Sequence, residues 1–155
     1  MLRINRETDY ATGILGLMAA SPQRRYSASW LAERRCLPVP VVSKILKQLA
    51  RAGILESHRG AKGGYQLSRA AEEISIASVI QAMEGPIALT DCIGGGDSAC
   101  QYSANCGVSD NWSRINRLFE EALRSVSLRD MIGPPPPMHT VTFPELAARG
   151  KSSPV

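Results

Sequence analysis

The chain has 155 residues, the length of one domain with an accessory arm and too short for a large enzyme with a deep, separately walled pocket. Hydrophobic residues make up 44% and charged residues 21%, so most of the chain is expected to fold, and with aromatics at 5% its core falls to aliphatic side chains. The net charge of +4 is unevenly spread: residues 1–70 carry twelve Lys/Arg against four Asp/Glu, residues 71–155 six against ten, so the front half is expected to meet a polyanion.

No apolar run approaches the roughly 18 residues of a membrane span. Ala11 to Ala20 imitates the apolar part of a signal peptide, but Glu7 and Asp9 cancel Arg3 and Arg6 ahead of it. Tyr10, Ile14, Leu17 and Met18 also recur at helical spacing, so the stretch reads as a core helix and the protein as cytoplasmic, with no membrane partner. Ser21-Pro22 through Arg25 breaks the pattern, and Ser27 or Ser29 can cap a short second helix running to Arg35. After Cys36-Leu37-Pro38, Pro40 suits the first turn of a third helix that buries Val42, Ile45, Leu46 and Leu49. Gly53 stands where a left-handed cap belongs, with Ile54 available for the accompanying apolar contact.

The period then shortens. Ile54 to Ser57 and Tyr65 to Ser68 read as strands around the glycine-rich, basic loop from His58 to Gly64, which makes a hairpin. Ser75 caps a fourth helix with Ile76, Val79, Ile80 and Met83 inward, and Gly85-Pro86 ends it. Nothing in 87–106 is periodic. Val108, Trp112, Ile115, Phe119, Ala122 and Val126 then step by alternating fours and threes, the a/d seam of a long dimerisation helix. The proline run from Pro134 marks 133–155 as a disordered tail.

This order is a winged helix-turn-helix: mainly α with a small β-hairpin, followed by a long C-terminal helix. The expected divisions are a DNA-binding domain over 1–86, a cysteine loop over 87–106, the dimerisation helix over 107–132 and the tail. A helix lying in the major groove must turn its apolar stripe inward and offer polar side chains outward. The third helix would offer Ser43, Lys44, Lys47, Gln48 and Arg51, and the wing His58, Arg59 and Lys62. The wing lacks the spacing of a phosphate-cradling P-loop.

Cys92, Cys100 and Cys106 share one loop, with seven and then five residues between them, while Cys36 stands apart and reads as a small buried hydrophobe. Structural zinc prefers closer pairs and four donors, and neither His58 nor His139 is near the loop. Disulfides are disfavoured in the cytosol. Three thiolates among glycines suit an iron–sulfur cluster, with free redox thiols as the alternative.

The segments LRINRETDYA, LPVPVVSKILKQLARAGILESHRGAKGGYQLSR and ISIASVIQAMEG, with three cysteines ahead of a long helix, make residues 1–132 resemble the iron–sulfur winged-helix repressors. That family includes IscR, NsrR and the SUF-operon regulators, and the opening of this chain looks most like the last. The resemblance implies a homodimer on a palindromic double-stranded operator, with Cys92, Cys100 and Cys106 ligating a [2Fe–2S] or [4Fe–4S] cluster. IscR-like members place a histidine three residues after the last cysteine, where this chain has Ser109. NsrR-like members use an aspartate from the partner chain, and Thr8-Asp9 matches that motif, with Glu7 second. Asp9 equally suits the positive N-terminus of the first helix. The seven-residue gap departs from the usual first spacing and leaves nuclearity open.

The expected function is a repressor of cluster-assembly genes that senses cluster status, oxidative stress or iron. A nitric oxide-responsive repressor is the alternative within the family, and a small thiol-redox protein the alternative outside it. The loop has no CxxC pair and no surrounding His/Asp/Glu set, so no catalytic residue is expected.

Overall fold

The structure, a computed structural model, describes residues 3–60, 63–90, 93 and 106–133. Asn5 opens α1 (Arg6–Ala19): its side-chain oxygen accepts the Glu7 N–H at 2.8 Å, satisfying a donor that a first helical turn leaves without a backbone partner. Ala11, Ile14, Leu15 and Met18 are wholly buried, as a core helix requires. Of the two serines able to cap α2 (Ala28–Arg35), Ser27 does so, accepting from Trp30 N–H at 3.1 Å.

α2 ends at Cys36, which takes the left-handed conformation (φ 51°). This corrects the expectation of a buried cysteine. Cys36 is exposed, because the residue that reverses the chain between two helices sits at the surface. α3 (Val39–Arg51) starts on Pro38 and Pro40, and its buried set is Val42, Ile45, Leu46 and Leu49. At its end Ile54 N–H donates to Leu49 C=O at 3.0 Å and Gly53 N–H to Ala50 C=O at 3.1 Å. These are the two bonds of a Schellman cap, and Gly53 supplies the positive φ of 73°.

The hairpin pairs β1 (Leu55–His58) with β2 (Gly64–Leu67) in antiparallel register, Leu55 opposite Leu67 and His58 opposite Gly64. Tyr26, from the turn ahead of α2, adds a rung by exchanging backbone bonds with Tyr65 at 2.8 and 2.9 Å. α4 (Ile76–Glu84) follows, capped by Ser75 and stopped at Gly85 with φ 89°. Glu84 reaches back to α1, where its Oε1 accepts the Thr8 hydroxyl at 2.6 Å and the Asn5 N–H at 3.0 Å.

The single helix expected over 107–132 is two helices, α5 (Ser109–Arg124) and α6 (Leu128–Ile132). Two features break it. Ser127 and Asp130 form a reciprocal capping box that starts a new helix. Between the helices, Val126 C=O accepts from Ile76 N–H at 2.9 Å and Leu128 N–H donates to Ile74 C=O at 2.7 Å. Val126 therefore leaves the expected seam, and Leu128, with no exposed surface, joins the core that holds Ile14, Ile45 and Leu49. The Ser127 hydroxyl and N–H hold the Asp130 carboxyl below its ordinary value of 3.8. A depressed pKa makes the cap stabilising at neutral pH and lost as pH falls through that lowered value.

Leu128→Ala should destabilise the fold by about 2–5 kcal/mol, the usual cost of emptying a wholly buried leucine site. Urea unfolding followed by circular dichroism measures this. A loss below about 0.5 kcal/mol, the surface-substitution range, would place α6 outside the core.

Candidate nucleic-acid interface

The buried stripe of α3 leaves Lys44, Lys47 and Arg51 exposed, with Ser43 and Gln48 half-buried beside them. Gln48 Oε1 has no partner among the described residues. Lys47 and Arg51 reach solvent, but Lys44 is held: its Nζ lies 2.7 and 2.8 Å from the two carboxylate oxygens of Glu7. Glu7, second choice after Asp9 as a cluster ligand, is thus engaged with the DNA-reading helix.

In the wing, Arg59 is exposed and His58 is half-buried, its Nε2 3.5 Å from Glu56 Oε2. Lys62 lies outside the described residues. Two glycines are obligatory here. A Cβ on Gly63 would run into the carbonyls of His58 and Gly60, and one on Gly64 would sit 2.7 Å from the Tyr26 oxygen. Gly64 also has φ 142°, which disfavours any other residue.

The reading from sequence missed an arginine–tryptophan stack beside the wing. The Arg24 guanidinium lies 4.9 Å from the Trp30 ring and 5.1 Å from Tyr26, and Arg34 lies 5.1 Å from Trp30. The helical Trp30/Arg34 spacing of four was the available signal.

Cys92 and Cys100 lie outside the described residues. Cys106 is half-buried immediately ahead of α5, and its carbonyl accepts the Ser109 hydroxyl at 3.2 Å. Ser109 thus turns back on the Cys106 backbone. Asp9 is exposed in the first turn of α1 and borders an open groove of about 360 Å³ with Gly13, Gly16 and Met131. Among the described residues no three potential metal ligands come together in one protomer.

Asn116, also missed, is 5% exposed in α5 and clamps the start of the cysteine loop. Its Nδ2 donates to Ile87 C=O and its Oδ1 accepts from Leu89 N–H, both at 2.9 Å. One helix therefore holds the loop at both ends, through Asn116 and by continuing from Cys106. A polar residue on an inward helical position was the only hint.

The face of α5 bearing Trp112, Ile115 and Phe119 points away from the core, with 40%, 46% and 37% of their surfaces exposed. These three large apolar side chains form an exposed row on one helix face.

The Rrf2 family model, described as an iron-dependent transcriptional regulator, matches residues 4–134. This chain belongs to the Rrf2 family. Protein aau3 of Rhizobium meliloti is 27% identical over 98% of this chain and 99% of its own length. The structure of CymR, the global cysteine regulator of B. subtilis, superposes with a TM-score of 0.63 and 26% identity, covering 85% of this chain and 97% of CymR. T. potens IscR gives 0.61 and 25%, covering 84% and 86%. This Rrf2 protein is a DNA-binding winged-helix transcriptional regulator and not an enzyme, which sets the thiol-redox alternative aside. Among the described residues no helix is long and apolar enough to cross a membrane.

Asn116→Ala should leave the half-buried Ile87 C=O and Leu89 N–H without their partner and destabilise the chain by about 1–3 kcal/mol in all. Urea unfolding measures the loss. An unchanged midpoint would mean that the loop start is not held by Asn116.

Proposed function

We propose that this Rrf2 protein is a homodimeric repressor of cluster-assembly genes whose operator affinity reports an iron–sulfur cluster. The reading of DNA is carried by the outer face of α3, through Ser43, Lys44, Lys47 and Arg51, and by His58, Arg59 and Lys62 of the wing. Two such helices on a symmetric dimer call for a palindromic double-stranded operator. The dimer is supported by the outward row of Trp112, Ile115 and Phe119.

The residues that would hold a cluster are Cys92, Cys100 and Cys106, with Asp9 of the partner protomer as the fourth donor. The half-buried Cys106 and the exposed Asp9 suit these roles, one as a sheltered thiolate and the other as a carboxylate free to reach across an interface. A bound cluster would supply a redox-active group that is lost to oxidation, nitric oxide or iron shortage. Coupling to DNA then requires that the competent and incompetent arrangements of the two wings hold the cysteine loop differently. Likeness to a global cysteine regulator supports a second reading, in which the same fold answers to a sulfur metabolite. The nitric oxide-responsive alternative keeps the cluster and changes only the signal.

Anaerobic purification tests the cluster. The wild-type dimer should be coloured, Cys106→Ala should lose the visible absorption, Cys36→Ala should keep it, and Asp9→Ala should alter it and shorten its lifetime. A colourless anaerobic dimer that still binds DNA would overturn the cluster and favour the sulfur-metabolite reading. Faster bleaching by nitric oxide than by oxygen would favour the alternative signal.

Ile115→Lys should give monomers or aggregates and abolish binding to a palindromic site, since it buries an unpaired charge in the seam. Analytical ultracentrifugation decides this. A stable variant dimer would move the interface elsewhere.

A further inference from the structure

We infer that Glu7 is a positioning residue for DNA binding: its carboxylate holds Lys44 of α3 and must release it to a DNA phosphate, so the first turn of α1 sets how much of the helix's charge an operator meets. This rests on the DNA-binding reading above and concerns duplex DNA alone.

The geometry is that of an internal stand-in for phosphate. Lys44 Nζ lies 2.7 and 2.8 Å from the two oxygens of Glu7, an ammonium shared across a carboxylate as it would be across two phosphate oxygens. The lysine side chain keeps 59% of its surface and the glutamate 32%, so a backbone phosphate can reach the same ammonium. Lys47 and Arg51 lie one and two helical turns further along the same exposed face. Lys44 is thus the member of the row whose charge is already met within the chain.

The backbone that carries Glu7 is fixed on both sides. The Glu7 N–H is tied to the Asn5 side chain at 2.8 Å. The turn on either side is tied to α4, through Asn5 N–H and the Thr8 hydroxyl on Glu84 Oε1. Thr8, the donor of the second of these bonds, is 1% exposed. A phosphate that takes Lys44 must therefore displace a carboxylate that already meets its charge. Exposed ion pairs are weak, which puts the effect at about 1.5- to 5-fold in affinity. That is enough to tune an operator contact and too little to lock the helix away from DNA.

The test is a double-mutant cycle of Glu7→Gln and Lys44→Ala in the full chain. The probe is a duplex of about 30 base pairs, long enough for two half-sites one helical turn apart, selected from a random pool by the wild-type protein. Fluorescence anisotropy should show Glu7→Gln tightening binding by about 1.5- to 5-fold. Lys44→Ala should weaken it, and Glu7→Gln should have no further effect once Lys44 is gone. Equal tightening in both backgrounds would mean that Glu7 repels DNA on its own account, and would overturn the inference while leaving DNA binding intact. Unchanged or weaker binding of Glu7→Gln would overturn it as well. A wild-type chain that enriches no duplex would overturn the DNA-binding reading and this inference together. Should Glu7→Gln unfold α1, Glu7→Ala carries the same cycle, because it also removes the carboxylate that holds Lys44.

Discussion

Val42, Ile45, Leu46 and Leu49 have no exposed surface, and that commitment orients the whole outer face of α3. Burying four such side chains contributes about 1.5–3 kcal/mol each. Rolling α3 about its axis would give most of that up. With the inner stripe locked, helical geometry alone turns Lys44, Lys47 and Arg51 outward. The wing is placed against the same core by Leu55 and Leu67, and it is tied to α2 through the backbone exchange between Tyr26 and Tyr65. Recognition helix and wing therefore move as one body with the core.

The second half of the chain is mechanically joined to that body. The chain leaves the core at Gly85 and forms the cysteine loop and α5. It then returns to place Leu128 among Ile14, Ile45 and Leu49. Any force on α5 is delivered to the core through the paired backbone at Ile74–Ile76 and Val126–Leu128. The side of α5 facing α4 carries Asn116, which grips the loop, and Glu120, which accepts from Gln81 at 2.9 Å. The apolar row lies on an adjacent face, where Phe119 borders a cleft with Ile80 and Glu84 of α4. One helix thus touches the start of the loop at Ile87 and Leu89, the core and an exposed apolar row.

Charge is arranged less simply than the outer face of α3 suggests. A basic helix in an isolated chain repels itself, and here part of that charge is met by Glu7, from a turn anchored elsewhere in the core. The stack of Arg24 and Arg34 on Trp30 similarly fixes two cations against an aromatic ring at the base of the wing. Lys44, Arg24 and Arg34 are thus positive side chains held in set positions.

By itself the sequence determined what depends on neighbours along the chain. The caps at Ser27 and Ser75, the glycine that closes α3 and its 3.6-residue stripe are written within a few residues of where they act, as are the two strands and the glycine-rich wing. Tertiary structure decided what depends on residues far apart. The seam pattern continues through Val126, but two backbone bonds to Ile74 and Ile76 end α5 first, and no local pattern announces a partner 50 residues away. Asn116 looks like an ordinary helix polar residue until Ile87 and Leu89 are placed against it. Cys36 reads as a small apolar residue, yet the turn between two packed helices puts it at the surface. Lys44 reads as a free cation, because its carboxylate lies 37 positions earlier and is brought to it only when α1 and α3 pack on the same core. Local preference sets each element's kind and limits, whereas long-range pairing decides where it stops and which of its charges remain available.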